Sequence, residues 1–121
     1  MITSKEESKV YELNIHGKTN LIKLVKTNYI MAPDKLAVQM FCWNEKYEYW
    51  EARCTLTVNT NDKPLNKNCA FIDINNNKDI IGWMLKNGMG RTTKRFSVSG
   101  FCTYPEFEFN DRTLNQMLNY E

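Results

Sequence analysis

The sequence has little of what most enzyme active sites and membrane segments require. It contains one histidine, His16, among 121 residues, and no run approaches the roughly 20 apolar residues of a membrane span. Catalysis by a cysteine nucleophile normally depends on a nearby base such as histidine. His16 adjoins Gly17 in a predicted turn, where a solvated residue is the simpler interpretation. We therefore expect neither a dyad of Cys102 with His16 nor a membrane-spanning segment.

Net charge is also small. Sixteen basic and 14 acidic side chains leave +2, which does not indicate a dedicated nucleic-acid-binding domain. The charged residues are instead grouped along the sequence. Those in residues 86–95 are all basic, and those in residues 104–111 are all acidic. This pattern predicts a surface with separate basic and acidic regions. Nucleic acid stays an alternative partner through the basic segment.

Close cysteine pairs are absent as well. Cys42, Cys54, Cys69 and Cys102 stand singly, unlike the spacing of zinc ribbons or of small disulfide-rich secreted proteins. The first ten residues are charged where a signal peptide needs an apolar run. We therefore expect reduced thiols, a cytoplasmic location, and no metal or cofactor.

Alternating apolar residues predict most of the strands in a single domain over residues 1–121. One hairpin turns at residues 16–18, and a second turns at residues 44–48. Placing Cys42 opposite Trp50 in the second hairpin leaves its two cysteines on one face without opposing them directly.

Beyond the second hairpin, residues 60–68 are polar and indicate a surface loop. The apolar segment CAFI, residues 69–72, predicts a short strand after it.

Two helices follow from the spacing of apolar residues near the end of the chain. The main helix spans about residues 77–87, capped by Asn76 or Asn77 and ended by Gly88. A short C-terminal helix spans about residues 111–120, with Asn110 or Asp111 as its cap. With both helices packed on one face of a small antiparallel sheet, the predicted class is α+β.

The stretch SGFCTYPEFEF, residues 99–109, reads as one strand of a hairpin that turns at Ser99 and Gly100. Its alternation, with that of the preceding strand, predicts one packed face. That face contains Phe96, Val98, Phe101, Pro105, Phe107 and Phe109. Glu106 and Glu108 then lie on the solvated face. Paired carboxylates could serve acid–base chemistry, but the alternation favours a half-buried strand.

Four motifs together carry a family resemblance: LTVN (56–59), CAFIDINNN (69–77), KNGMGRTT (86–93) and SGFCTYP (99–105). In this order they resemble those of a family of uncharacterised bacterial proteins, over roughly residues 10–110. The resemblance implies a protein of plasmids, conjugative elements or phages with no assigned activity. Ile74 departs from the threonine of the family pattern.

From this resemblance we expect a non-enzymatic accessory protein that binds and inhibits a host defence protein, such as a CRISPR nuclease or a restriction enzyme. No residue is assigned a catalytic role. Aromatic and arginine side chains predominate at binding hot spots, and the candidates for partner contact are Trp43, Tyr47, Tyr49, Arg91, Lys94, Arg95 and Tyr104. The alternatives are a nucleic-acid-binding module that uses residues 91–95, and a small-molecule-binding domain or enzyme.

Overall fold

A computed structural model describes residues 2–3 and 8–120 of the chain. Within these residues the chain forms ten strands and two helices. In order they are β1 (Ile2–Thr3), β2 (Tyr11–Ile15), β3 (Lys18–Tyr29), β4 (Ala32–Asn44), β5 (Tyr49–Thr55), β6 (Thr57–Val58), β7 (Cys69–Ile72), α1 (Ile80–Lys86), β8 (Gly90–Ser99), β9 (Cys102–Phe109), α2 (Asp111–Asn115) and β10 (Leu118–Tyr120).

The strands form two sheets. The first has the order β1-β10-β3-β4-β5, with β2 pairing beside β10 along β3, and the second has the order β6-β7-β9-β8. Every pairing in the described chain is antiparallel except that of β10 with β3. Inward-facing residues of both sheets, among them Leu24, Met40, Ile72 and Phe107, form one shared core.

The predicted α+β class is wrong. Strands make up 56% of the structure and helices 11%, and the two helices have only seven and five residues. No main helix packs on a sheet. Instead, the second sheet covers the inner face of the first, so strand residues supply most of the shared core. In the part of the chain that the structure describes, neither helix is long and apolar enough to cross a membrane.

The main helix is shorter than predicted because its asparagine cluster does not cap it. Both Asn75 and Asn76 donate backbone N–H groups to the carboxylate of Asp73, at 3.2 and 3.1 Å. This local turn satisfies the backbone in another way. The helix begins after Asp79, which has a left-handed φ of 62° and makes no side-chain cap bond. The predicted end at Gly88 is confirmed, since its N–H donates to a carbonyl of the last turn.

The C-terminal helix is also cut short. Of the two predicted caps, Asn110 is the one that caps it, with its side-chain oxygen accepting the N–H of Thr113 at 2.8 Å. The helix ends at Asn115, however, and Leu118 pairs with Val25 in the first sheet. There Leu118 is buried in a second apolar cluster with Val25 and Phe41. Burial on the sheet therefore replaces the predicted helical continuation.

Both predicted hairpins form, but the second has a different register. Trp43 lies opposite Trp50, and Cys42 lies opposite Glu51. A bulge near Phe41 shifts the pairing, so Trp50 packs on the outer face of the first sheet. Cys42 still packs against the shared core, without opposing Cys54.

Candidate functional site

Three of the predicted contact residues lie around one turn. We call Trp43, Tyr47 and Tyr49 the aromatic turn, since they flank or occupy the connection between β4 and β5. Tyr47 is 66% exposed and Tyr49 is 46% exposed. Trp43 is half-buried and packs on Trp50, with ring centroids 5.3 Å apart. The structure thus brings these three predicted contact residues together at one end of the first sheet.

Hydrogen bonds fix the shape of this turn. The side-chain oxygen of Asn44 accepts the Tyr47 N–H at 3.0 Å, and its carbonyl accepts the Glu48 N–H at 2.7 Å. The Tyr49 hydroxyl donates to Glu51 at 2.8 Å. This bond is the main reason that the pKa of Tyr49 is raised above 10.0. The two exposed tyrosines therefore stand on a well-defined turn.

An open cleft adjoins the aromatic turn. It has a volume of about 820 Å³, and its lining includes Lys18, Asn20, Cys42, Trp43 and Glu51. Charges of both signs line it. A mixed, open surface of this kind suits a polar contact with another macromolecule better than an enclosed small-molecule site.

The basic segment, in contrast, is largely paired with acids. Arg91 contacts Glu108 at 2.8 Å, and Arg95 contacts Glu106 at 3.3 Å. The predicted separation into basic and acidic regions is therefore wrong for these strands, because β8 and β9 lie side by side and their charges interleave. Lys94 is exposed and has a left-handed φ of 67°. Two of the three basic contact candidates are thus already engaged within the chain.

Glu106 is buried, contrary to its predicted place on a solvated face. Its carboxylate accepts the hydroxyl of Thr93 at 2.6 Å and the N–H of Leu65 at 2.9 Å, beside the Arg95 guanidinium. A bulge between Thr92 and Phe96 permits this arrangement, because it turns the extra residues of β8 toward one carboxylate. Glu106 therefore has a structural role, because these hydrogen bonds use the acceptor capacity of its carboxylate.

Residues 59–68 explain why this carboxylate is covered. They are irregular and include the loop predicted over residues 60–68, and hydrogen bonds to Ser97, Glu106 and Glu108 hold them against the outer side of the second sheet. The Ser97 hydroxyl contacts Thr60 and Asp62 at 2.7 and 2.6 Å, while Asn66 donates to Glu108 at 2.7 Å. Ser97 is consequently buried as well.

The remaining candidate, Tyr104, is half-buried on the same outer side. A hydrogen bond with Cys102 is the main cause of the rise in its pKa, with burial and the charge of Asp73 adding to it. Cys102 is also half-buried. The structure therefore places Tyr104 beside a thiol, away from the aromatic turn.

The hairpin of β8 and β9 turns one residue later than predicted. Ser99 pairs with Cys102, which leaves Gly100 and Phe101 in the turn. A glycine at the first of two turn positions, here with φ 63°, is the preference of a type II′ turn. That preference was the available signal for the correct register.

The predicted packing of this hairpin is wrong at its outer end. Phe96 is 62% exposed and Val98 is 68% exposed, while Phe101 in the turn is fully exposed. The hairpin extends beyond β7, which pairs only with residues 106–108 of β9. Past that limit, Phe96 and Val98 lie on the core-facing side of β8, but the rest of the described chain leaves both largely exposed. We call Phe96, Val98 and Phe101 the apolar tip.

The aromatic turn and the apolar tip lie at opposite ends of the molecule. Lys35 on β4 donates to the Thr60 carbonyl at 2.7 Å, and Ser97 of β8 contacts the Thr60 hydroxyl. The apolar tip is therefore near the start of β4. Asn44 lies nine residues further along that strand, or about 30 Å at the rise of an extended strand.

All four cysteines are free. Burial raises the pKa of Cys69 to about 11. Among the residues described, no three His, Cys, Asp or Glu side chains are grouped to hold a metal ion. His16 lies in the two-residue turn between β2 and β3, exposed as expected.

The fold and these two surfaces define a small two-sheet β protein whose outward features are hairpin turns. The profile of a domain of unknown function, DUF4313, matches residues 24–120. The chain therefore belongs to the DUF4313 family. Comparison with curated proteins and with solved structures gave no match.

Proposed function

We propose that this protein is a non-enzymatic accessory protein that binds another protein through the aromatic turn. The observation that carries the proposal is the exposure of Tyr47 and Tyr49 on a turn held by Asn44. Tyrosine and tryptophan supply large contact areas at low entropic cost and are enriched at binding hot spots. A turn that is already ordered loses little further freedom on binding.

The proposed partner is a bacterial defence enzyme, a CRISPR nuclease or a restriction enzyme, which the protein inhibits in the cytosol. The family resemblance of the four motifs supports this part of the proposal, together with an origin on a plasmid, a conjugative element or a phage. The salt bridges of Arg91 and Arg95 favour a protein over nucleic acid as partner, because both guanidinium groups already contact carboxylates.

Protection of incoming DNA tests the proposal. Bacteria with a defined CRISPR or restriction system are challenged with phage, with and without the protein. We expect plating to rise with the wild-type chain. The double variant Tyr47→Ala, Tyr49→Ala should bind the purified defence enzyme at least about tenfold more weakly, the typical loss at a hot spot.

The matched control is Phe96→Ser, which removes an exposed aromatic ring at the other end of the molecule. It should protect as well as the wild type. Absence of protection across a panel of defence systems, with no defence enzyme co-purifying, contradicts the proposal. Salt-sensitive binding to DNA alone supports the nucleic-acid alternative instead.

A further inference from the structure

The apolar tip combines an open strand edge with exposed apolar side chains. β8 is the last strand of the second sheet, and no other strand of the described chain pairs with its outer side. Unpaired edges with apolar side chains are sites of pairing with other strands. Phe96 and Val98 lie on the same side of β8, two residues apart.

Hairpin geometry shows which backbone groups are free. Ser99 and Cys102 flank a two-residue turn, so they exchange backbone hydrogen bonds. Hydrogen-bonded and non-bonded pairs alternate along an antiparallel hairpin, so Ser97 is also hydrogen-bonded to β9. The N–H and C=O groups of Phe96 and Val98 then point away from β9. Pro105 lies opposite Phe96, at a position where its missing N–H costs nothing in the pairing with β8.

We infer that two copies of this chain pair antiparallel through the β8 edges of their apolar tips, forming a twofold dimer. With Ser97 at the symmetry axis, Phe96 of each copy lies opposite Val98 of the other. Both pairs fall at hydrogen-bonding positions, so the two copies exchange about four backbone hydrogen bonds. Aromatic and β-branched residues are favourable cross-strand partners.

The charges of the hairpin are compatible with this register. Lys94 and Arg95 of one copy come opposite Gly100 and Ser99 of the other, so no two cations oppose each other directly. The bulge at residues 93–95 limits the free edge to the segment beyond it. Because the pairing uses the same edge in both copies, it closes as a dimer and does not continue into a fibre.

The area of the apolar tip sets the strength of the dimer. A fully exposed phenylalanine presents about 200 Å², so the apolar tip offers roughly 400 Å² in each copy. Two copies bury about 800 Å², below the roughly 1,200 Å² of stable complexes. The dimer is therefore weak, with a dissociation constant between about 10 µM and about 1 mM.

Sedimentation velocity over a concentration series up to about 1 mM, on the full chain without any partner, tests this inference. We expect the mass to rise from monomer to dimer. Val98→Pro removes one outward N–H and leaves the β8–β9 bonds in place, so it should stay monomeric. Phe96→Ser should weaken the dimer at least about tenfold. Circular dichroism verifies that each variant is folded, and Tyr47→Ser, at the aromatic turn, should dimerise like the wild type.

Amide hydrogen exchange gives a second, residue-level measurement. The N–H groups of Phe96 and Val98 should exchange more slowly as the concentration rises. Those of Ser97 and Ser99, already bonded to β9, should change much less. A monomer at every concentration overturns the inference, as does a dimer in which Phe96 and Val98 continue to exchange rapidly. Both measurements are independent of whether the aromatic turn binds a defence enzyme.

Discussion

The aromatic turn and the apolar tip expose large side chains in two different ways. In the aromatic turn, each ring has a partner in its own chain: Trp43 packs on Trp50, Tyr49 donates to Glu51, and the Lys46 ammonium lies 5.1 Å from the Tyr47 ring centre. Rings with a polar group can satisfy that group locally and still face water.

The apolar tip has no such compensation. Phe96, Val98 and Phe101 carry no polar side-chain atom, so only burial against another surface removes them from water. The base of the same hairpin is densely bonded through Glu106, Ser97 and residues 59–68. The base of the hairpin is therefore ordered, although its end is exposed. The exposure of the apolar tip thus results from the length of the hairpin and not from a loose fold.

The largest effect should come from removing the anchor at the base of the apolar tip. Glu106→Ala leaves Arg95, Thr93 and the Leu65 N–H without their acceptor. We expect the free energy of unfolding to fall by about 3 kcal/mol, as when one member of a buried pair is removed. Urea unfolding measures it. The control Glu108→Ala, at the more exposed pair with Arg91, should lose clearly less. Equal losses would show that the buried network does not hold the hairpin.

The next effect compares the two ends directly. Trp50→Ala removes the ring under Trp43 and exposes part of the cluster around Phe41, so it should cost about 2 kcal/mol, less than for a fully buried ring. Phe96→Ser at the apolar tip should change stability by less than about 0.5 kcal/mol. Thermal unfolding at low concentration, where the chain is monomeric, separates them. A large loss in Phe96→Ser would mean that the tip is packed in solution.

A smaller effect is the difference in thiol reactivity between the buried Cys69 on β7 and the cysteines near the two ends of the molecule. Because the pKa of Cys69 is about 11, almost none of it is thiolate near pH 8, and it should react with iodoacetamide at least about tenfold more slowly than an ordinary thiol. Cys42 and Cys102, half-buried toward the two ends, serve as internal references. Peptide mapping by mass spectrometry measures all three. Cys69 labelling as fast as Cys102 would contradict the burial of β7.

The smallest effect is the titration of Glu108. Hydrogen bonding by Asn66, followed by the charge of Arg91, holds its pKa below 4.5. A lowered pKa stabilises the fold above the unfolded-state pKa, and this contribution is lost as the pH falls through the folded-state value. NMR titration should give a midpoint below 4.5. Asn66→Ala should move the midpoint upward. An unchanged midpoint would show that residues 59–68 do not lower the pKa of this carboxylate.

The alternation of apolar residues predicted much of the sheet structure. It placed β2, β3, β4, β5 and β7 correctly in outline, because alternate burial along a strand is a local pattern. The aromatic turn was also predictable, since Trp43, Tyr47 and Tyr49 are close in the sequence. Asn110 and Gly88 were recognised as helix ends through local backbone chemistry.

What the sequence by itself determined was therefore most of the longer strands, the end of α1, the cap of α2 and the cluster of aromatics at one turn, all of which depend on neighbours a few residues apart. Only the tertiary structure decided that Glu106 is buried and Phe96 is exposed. The alternation of apolar residues cannot predict these two outcomes, because both depend on distant segments. Residues 59–68 cover the outer side of the hairpin, and β7 ends before it reaches the apolar tip on the core-facing side. Burial is set by what lies across the sheet, and that is fixed only when the whole chain has folded.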